Sequence, residues 1–207
     1  MKHSLHYRAF SLIELLAVIT VIGILMAIAI PIVTNQPTSA RISGDADTLQ
    51  SQLAYARTLA VANGQATEIR FYRRPLPGLD GRDEVFRSYQ ILQYDEDNDY
   101  FVPDGRIQDL EGDNLILDDA TYSSLAESSR IQSADPNAMA TGNRAAHGLD
   151  YFAIHFNPDG STSLGKGGGD LWFLTIADFR ESENSSDDPA ANFVTLQIDP
   201  HNGTLRR

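Results

Sequence analysis

The chain contains no cysteine. That excludes disulfides, thiolate catalysis and cysteine-based zinc or iron–sulfur sites. It leaves the compartment open, because an extracellular protein can do without disulfides. Positive charge is scarce: 16 Lys+Arg stand against 28 Asp+Glu, for a formal charge of −12. Lys2 and Arg8 are the only formal charges before Phe10, so the remainder sums to −14. A chain this acidic repels nucleic acid and anionic lipid surfaces. Histidine is sparse too: beyond the first nine residues only His147, His155 and His201 occur, with no H-E-x-x-H. His155 alternates with Ile154 and Phe156, which reads as a strand residue on the opposite face rather than a ligand. No G-x-S-x-G is present, and the serines near 123–129 have no base nearby in sequence. "LGKGGGD" fails as a phosphate loop, since Gly167 follows Lys166 where Ser or Thr is required. These absences argue against an enzyme, a cofactor and a small-molecule substrate.

What the chain does have is one long apolar run. "FSLIELLAVITVIGILMAIAIPIV" spans Phe10 to Val33 and is interrupted only by Ser11, Glu14, Thr20, Gly23 and Pro31. As a helix it reaches about 36 Å, enough for a hydrocarbon core of about 30 Å. Lys2 and Arg8 precede it, and Asp45 and Asp47 follow with only Arg41 between. The positive-inside rule then puts the start in the cytoplasm and the remaining chain outside.

Three readings of the run compete. A cleavable secretory signal has a core of about 7–15 apolar residues and an A-x-A-like site. Ala27-Ile28-Ala29 offers such a site, which would release a soluble protein, but the core is too long and contains Glu14. A plain single-span anchor carrying a ligand-binding β-domain fits the length and gives Glu14 no purpose. In the third reading the leader is cut between Ala9 and Phe10. The new amine at Phe10 then lies four residues before Glu14, largely charged at neutral pH. In a bundle of such helices the amine of one subunit neutralises Glu14 of a neighbour, and buried charges persist when paired. Pro31 removes a backbone donor and bends or locally melts the helix. Gly23 and Ala27 form a small-xxx-small pair that lets helices approach closely.

"AFSLIELLAVITVIGIL" closely resembles the class III signal of type IV pilins and type II secretion pseudopilins. The resemblance implies cleavage before Phe10, methylation of its amine, a glutamate at the fifth mature position (Glu14) and a helix-softening proline (Pro31). That family usually carries glycine just before the cut, where this chain has Ala9. The implied partners are other pilin-like subunits, a prepilin peptidase and the inner membrane, with Phe10, Glu14, Gly23 and Pro31 serving assembly.

Beyond the run, Asn35 to Asp47 is polar and reads as a linker, with Asp47 as the N-cap of a helix over 48–63 that ends at Gly64. The period then switches to two. In "ATEIRFYRR", Thr67, Ile69 and Phe71 take one face and Glu68, Arg70 and Tyr72 the other. "EVFRSYQILQYD" follows through a hairpin loop at 75–83, then a weaker "NLILDD" and a polar loop at 120–148. "DYFAIHF", "LWFLTIA" and "NFVTLQID" are firmer strands, and Asn202-Gly203 turns into a short last one. The expected fold is α+β and pilin-like: leader 1–9, transmembrane and assembly helix 10–33, linker 34–48, and a head over 49–207 whose antiparallel sheet packs on the helix. "YDEDNDYFVPDG" offers Asp95, Asp97 and Asp99 as weak calcium ligands, but Tyr100 and Arg106 stand where an EF-hand needs Gly and Glu. Arg206 and Arg207 read as a solvated tail. "AR" followed by "NGQATEIRFYR", "FNPDGS" and "IDPHNGTLR" looks like the H-type pseudopilins. "EIRFYR", "WFLTI" and "NFVTLQIDPHNGTLR" resemble more closely still the uncharacterised Verru_Chthon cassette protein D family.

Overall fold

The computed structural model describes residues 11–34, 37–76, 84–133, 146–166, 171–180 and 191–207, with the backbone alone for 27–34. The chain divides into two units, Met1–Pro37 and Thr38–Arg207.

The first unit contains helix α1, Leu12–Thr34, which is continuous through Pro31. Its described side chains, from Leu12 to Met26, are exposed on every side. That stretch is about 22 Å long. Among the described residues no helix is long and apolar enough to cross a membrane.

The second unit opens with helix α2, Thr38–Asn63. Residues 38–48 are therefore helical rather than a linker, and Asp47 lies inside the helix rather than at its cap. The reason is packing. Ile42 and Ala46 extend the stripe Leu49, Leu53, Ala56 and Ala60, and all six are buried. Spacings that alternate four and three keep one face on the core. That burial outweighs the weak helix propensity of Ser39, Ser43 and Gly44. Gly64 ends α2 in the left-handed region, φ 65°, as its sequence position implied.

Among the described residues eight strands follow in one antiparallel sheet: β1 Thr67–Pro75, β2 Glu84–Asp95, β3 Tyr100–Asp109, β4 Asn114–Ile116, β5 Tyr151–Phe156, β6 Trp172–Asp178, β7 Phe193–Ile198 and β8 Leu205–Arg206. The order is β5-β1-β2-β4-β6-β7-β8, with β3 also on β2. β2 is long enough to serve two neighbours on one side: Phe86 pairs with Ile116 of β4, and Ser88–Asp95 pair with β3. The hairpin between β1 and β2 is present, with Phe71 opposite Tyr89. Its tip, and parts of the 120–148 and "LGKGGGD" segments, lie outside the described residues.

α2 packs on one face of the sheet. The core joins its stripe to Ile69, Phe71, Phe86, Phe152, Ile154, Phe156, Leu174, Ile176, Leu196 and Ile198. Phe152 sits at the centre, stacked on Phe71 at 4.8 Å and edge-on to Phe86 at 4.9 Å. The opposite face is not left to water. Glu68, Arg70 and Tyr72 are buried there. Arg70 Nε donates to Glu68 Oε1 at 2.8 Å, and its guanidinium lies 4.6 Å from the Tyr151 ring centre. Burial works against the Arg70 charge, but the hydrogen bond and charge of Glu68 outweigh it, so Arg70 holds its proton more firmly than a free arginine. His155 borders this pair: Nδ1 is 3.8 Å from Glu68 Oε2, and the ring is 5.6 Å from that of Phe101.

Candidate functional site

α1 opens with a local device. Ser11 N–H and Ser11 Oγ each donate to Glu14 Oε2 at 3.0 Å, and Glu14 N–H donates back to Ser11 Oγ at 3.3 Å. This is a capping box: the serine caps the helix, and the glutamate three residues on satisfies the serine's own N–H. Glu14 therefore has a use inside its own chain, which the S-x-x-E spacing announces. Thr20 is satisfied by its own helix, its Oγ1 donating to Leu16 O at 2.7 Å. A Cβ added at Gly23 would meet nothing within 4 Å, so that position is open to a neighbouring helix. Ala9 and Phe10, the expected cut, lie outside the described residues. Pro31 falls within α1, with its side chain outside them.

Residues 5–30 match the family model described as the prokaryotic N-terminal methylation motif. That makes the amino terminus pilin-like. No curated protein and no solved structure matches the chain. The methylation motif begins five residues before Phe10 and covers most of the apolar run, so Glu14, Gly23 and the Ser11 cap all fall within it.

In the head, the acidic stretch folds as a hydrogen-bonded turn. Asp95 Oδ1 accepts the N–H of Asp97 at 3.0 Å and of Asn98 at 3.3 Å, and Asp95 Oδ2 accepts Asn98 Nδ2 at 2.9 Å. The Asn98 amide and these backbone N–H groups hold the Asp95 carboxyl below the usual carboxylate range. The Tyr94 hydroxyl donates to Asp99, which sits at φ 59°. These carboxylates thus close the hairpin between β2 and β3. Among the described residues no group of three or more His, Asp or Glu is placed to hold a metal ion.

The segments that carry the H-type likeness converge. Arg57 Nε donates to Asn202 O at 2.6 Å and to Gly160 O at 3.2 Å. One arginine on α2 thereby ties the "NPDGS" turn to the "HNG" turn. Gly203 makes this possible. It has φ 63°, and a Cβ there would lie 3.0 Å from Gly160 O and from the Phe156 ring, and 3.1 Å from Arg57 Cδ. Arg207 is exposed, as a solvated tail would be, but it is not free. Its Nη1 donates to Asp47 Oδ1 at 2.8 Å and its Nη2 to Ser43 Oγ at 2.9 Å, so β8 is tied to α2. Further contacts hold the start of α2: Arg41 Nη2 lies 3.5 Å from Asp178 Oδ2, and Asp45 Oδ2 accepts Asn114 Nδ2 at 2.7 Å and Glu111 N–H at 2.9 Å.

Proposed function

We propose that the chain is a prepilin-like subunit of a type II secretion pseudopilus or a type IV pilus-like filament. The leader is cut between Ala9 and Phe10, and the amine of Phe10 is then methylated. Before assembly the head is held at the inner membrane by α1, with the amino terminus cytoplasmic and the head outside. The methylation motif at residues 5–30 carries this reading. Its support in the helix is chemical. Leu12, Ile13, Leu15, Leu16, Val18, Ile19, Val21, Ile22, Ile24, Leu25 and Met26 are all exposed. Burying them in lipid or between helices yields on the order of 10–20 kcal/mol. The whole of α1, at 23 residues, is about 34 Å long and suits either environment.

The mechanism is transfer of α1 from lipid to a bundle of like helices. Glu14 is kept satisfied by Ser11 while the subunit is alone. In the bundle, the amine of a neighbouring Phe10 offers it a charged partner, which fixes the axial register. The sheet takes no part in a reaction; it presents surfaces to neighbours or cargo. Such assembly is heterologous and open-ended. The likeness to the cassette D family gives no activity to add.

The mass and first residue of the chain from native membranes test the reading. A chain starting at a methylated Phe10 is expected. One starting at Met1 overturns the processing step and favours a single-span anchored β-domain, and one starting after Ala29 favours a secreted protein.

A further inference from the structure

β7 pairs with β6 along its whole length, but β8 reaches only Gln197 and Ile198. The phase of the ladder decides where the rest of β7 points its main chain. Leu117 N–H donates to Thr175 O at 3.0 Å, so Thr175 turns its polar groups toward β4. Thr175 and its partner Thr195 are then a non-hydrogen-bonded pair, and the N–H and C=O of Thr195 point out of the sheet. With a period of two, those of Phe193 do the same. Asp199 N–H donates to Thr204 O at 2.9 Å, which puts Gln197 in the same outward phase, where β8 takes it. Among the described residues nothing takes Phe193 or Thr195.

Among the described residues this edge lacks the usual protection. Free edges are blunted by charge, proline and bulges. β3 has all three kinds of guard: Pro103, Asp104, Arg106 and Asp109, Gly105 at φ 96°, and a register shift against β2. β5 is partly covered by bridges from Gln132 and Thr162. By contrast, "ANFVTLQI" at 191–198 has no charge, proline or glycine.

We propose that the open edge of β7 is a self-pairing site, at which a second copy of this chain adds its own β7 antiparallel about a two-fold axis at Val194. The phase is self-complementary. Phe193 and the second copy's Thr195 form one hydrogen-bonded pair, Thr195 and the second copy's Phe193 form the other, and Val194 meets itself between them. Charge favours this edge as well. In a chain of −12, most self-contacts oppose carboxylates, and here none stands opposite another. The contact is small, well below the ~1,200 Å² of a standard interface, so it acts where chains are concentrated, as on a membrane. To that extent it rests on the prepilin reading. A two-fold pair closes on itself and is not a filament contact. It describes subunits at rest before assembly.

The test uses the full chain in its own membrane. With no native cysteine, Val194→Cys carries the only thiol. A non-hydrogen-bonded antiparallel pair brings Cα atoms to about 4.5 Å, within disulfide range. Copper phenanthroline accepts the two electrons, and two thiols lose their protons to form one S–S bond. The expected result is covalent dimer about tenfold above a Leu171→Cys control, since paired thiols have a high effective concentration. Adding Thr195→Pro should abolish it: proline deletes the outward N–H and leaves the main-chain bonds to β6 intact, and Thr195→Val, which removes only the Oγ1 contact to Thr175 at 2.9 Å, should keep the cross-link. Far-UV circular dichroism checks that each variant is folded. Dimer no greater than the control, dimer indifferent to Thr195→Pro, or an adduct whose mass is not twice the chain each overturns the proposal. Glu14→Leu should leave the cross-link in place. Absent cross-linking in a chain correctly cut at Phe10 removes the pairing and spares the prepilin reading.

Discussion

Gly203→Ala separates two effects that usually travel together. Gly64 and Gly203 share a backbone conformation, φ 65° and 63°, so alanine at either pays the same left-handed penalty of about 1–2 kcal/mol. Their surroundings differ. A Cβ at Gly64 meets nothing within 4 Å, whereas one at Gly203 lies 3.0 Å from a carbonyl and an aromatic ring and 3.1 Å from Arg57 Cδ. The Arg57 stem can swing aside, but the Gly160 carbonyl belongs to a turn and Phe156 is fully buried. Overpacking of this kind costs about 1–3 kcal/mol more. Gly203→Ala should therefore lose about 2–5 kcal/mol and Gly64→Ala only about 1–2. For a head of this size the gap appears as roughly 5 °C in the thermal midpoint. The fluorescence of Trp172, the single tryptophan, reports it in detergent-solubilised chain. Equal midpoints for the two variants would refute the idea that Arg57 closes the head by drawing two turns together.

Other perturbations address α1 and the start of α2. Glu14→Leu should keep the chain in the membrane and block filament entry, read by shearing and immunoblotting; normal incorporation would sink the amine–carboxylate pairing. Ser11→Ala removes the cap at a cost of about 1 kcal/mol and should not block assembly. If it blocks as fully as Glu14→Leu, the glutamate acts through its own chain instead. Burial raises the Asp45 carboxyl above its usual range, only partly offset by the Asn114 amide and the Glu111 N–H. A raised folded value means that stability is lost as pH climbs through it, because the charged form is the costly one. Asp45→Asn should thus match the native head at low pH and surpass it at neutral pH, by less than about 1 kcal/mol given the half-exposed site. Urea unfolding at pH 4 and pH 7 checks the sign, and a gap that narrows as pH rises contradicts it.

Much of this architecture was legible. β2, β5, β6 and β7 fall where aromatic and β-branched residues cluster, because such runs need a sheet to cover them. β3 was hidden. Its Pro103, Gly105 and acidic neighbours read as turn, and they are tolerated because, among the described residues, β3 pairs only with β2. The first turns of α2 were hidden by Ser, Gly and Asp, although Ile42 and Ala46 keep the stripe in phase. In α1, the sequence pointed to Glu14 but not to Ser11, whose S-x-x-E spacing was there to be read. The Arg57 latch had no local signal, since its carbonyl acceptors lie 103 and 145 residues away in the chain.

The tie from Arg207 to Ser43 and Asp47 has a consequence for timing. α2 is made early, yet β6, β7 and β8 finish the wall beneath its stripe, and the bridge that fastens its first turns comes from Arg207. Throughout synthesis Ile42, Leu49 and Leu53 lack part of their cover. The head therefore reaches its final form only after the last strand has been delivered, and until then α2 is the sticky element that a chaperone would hold.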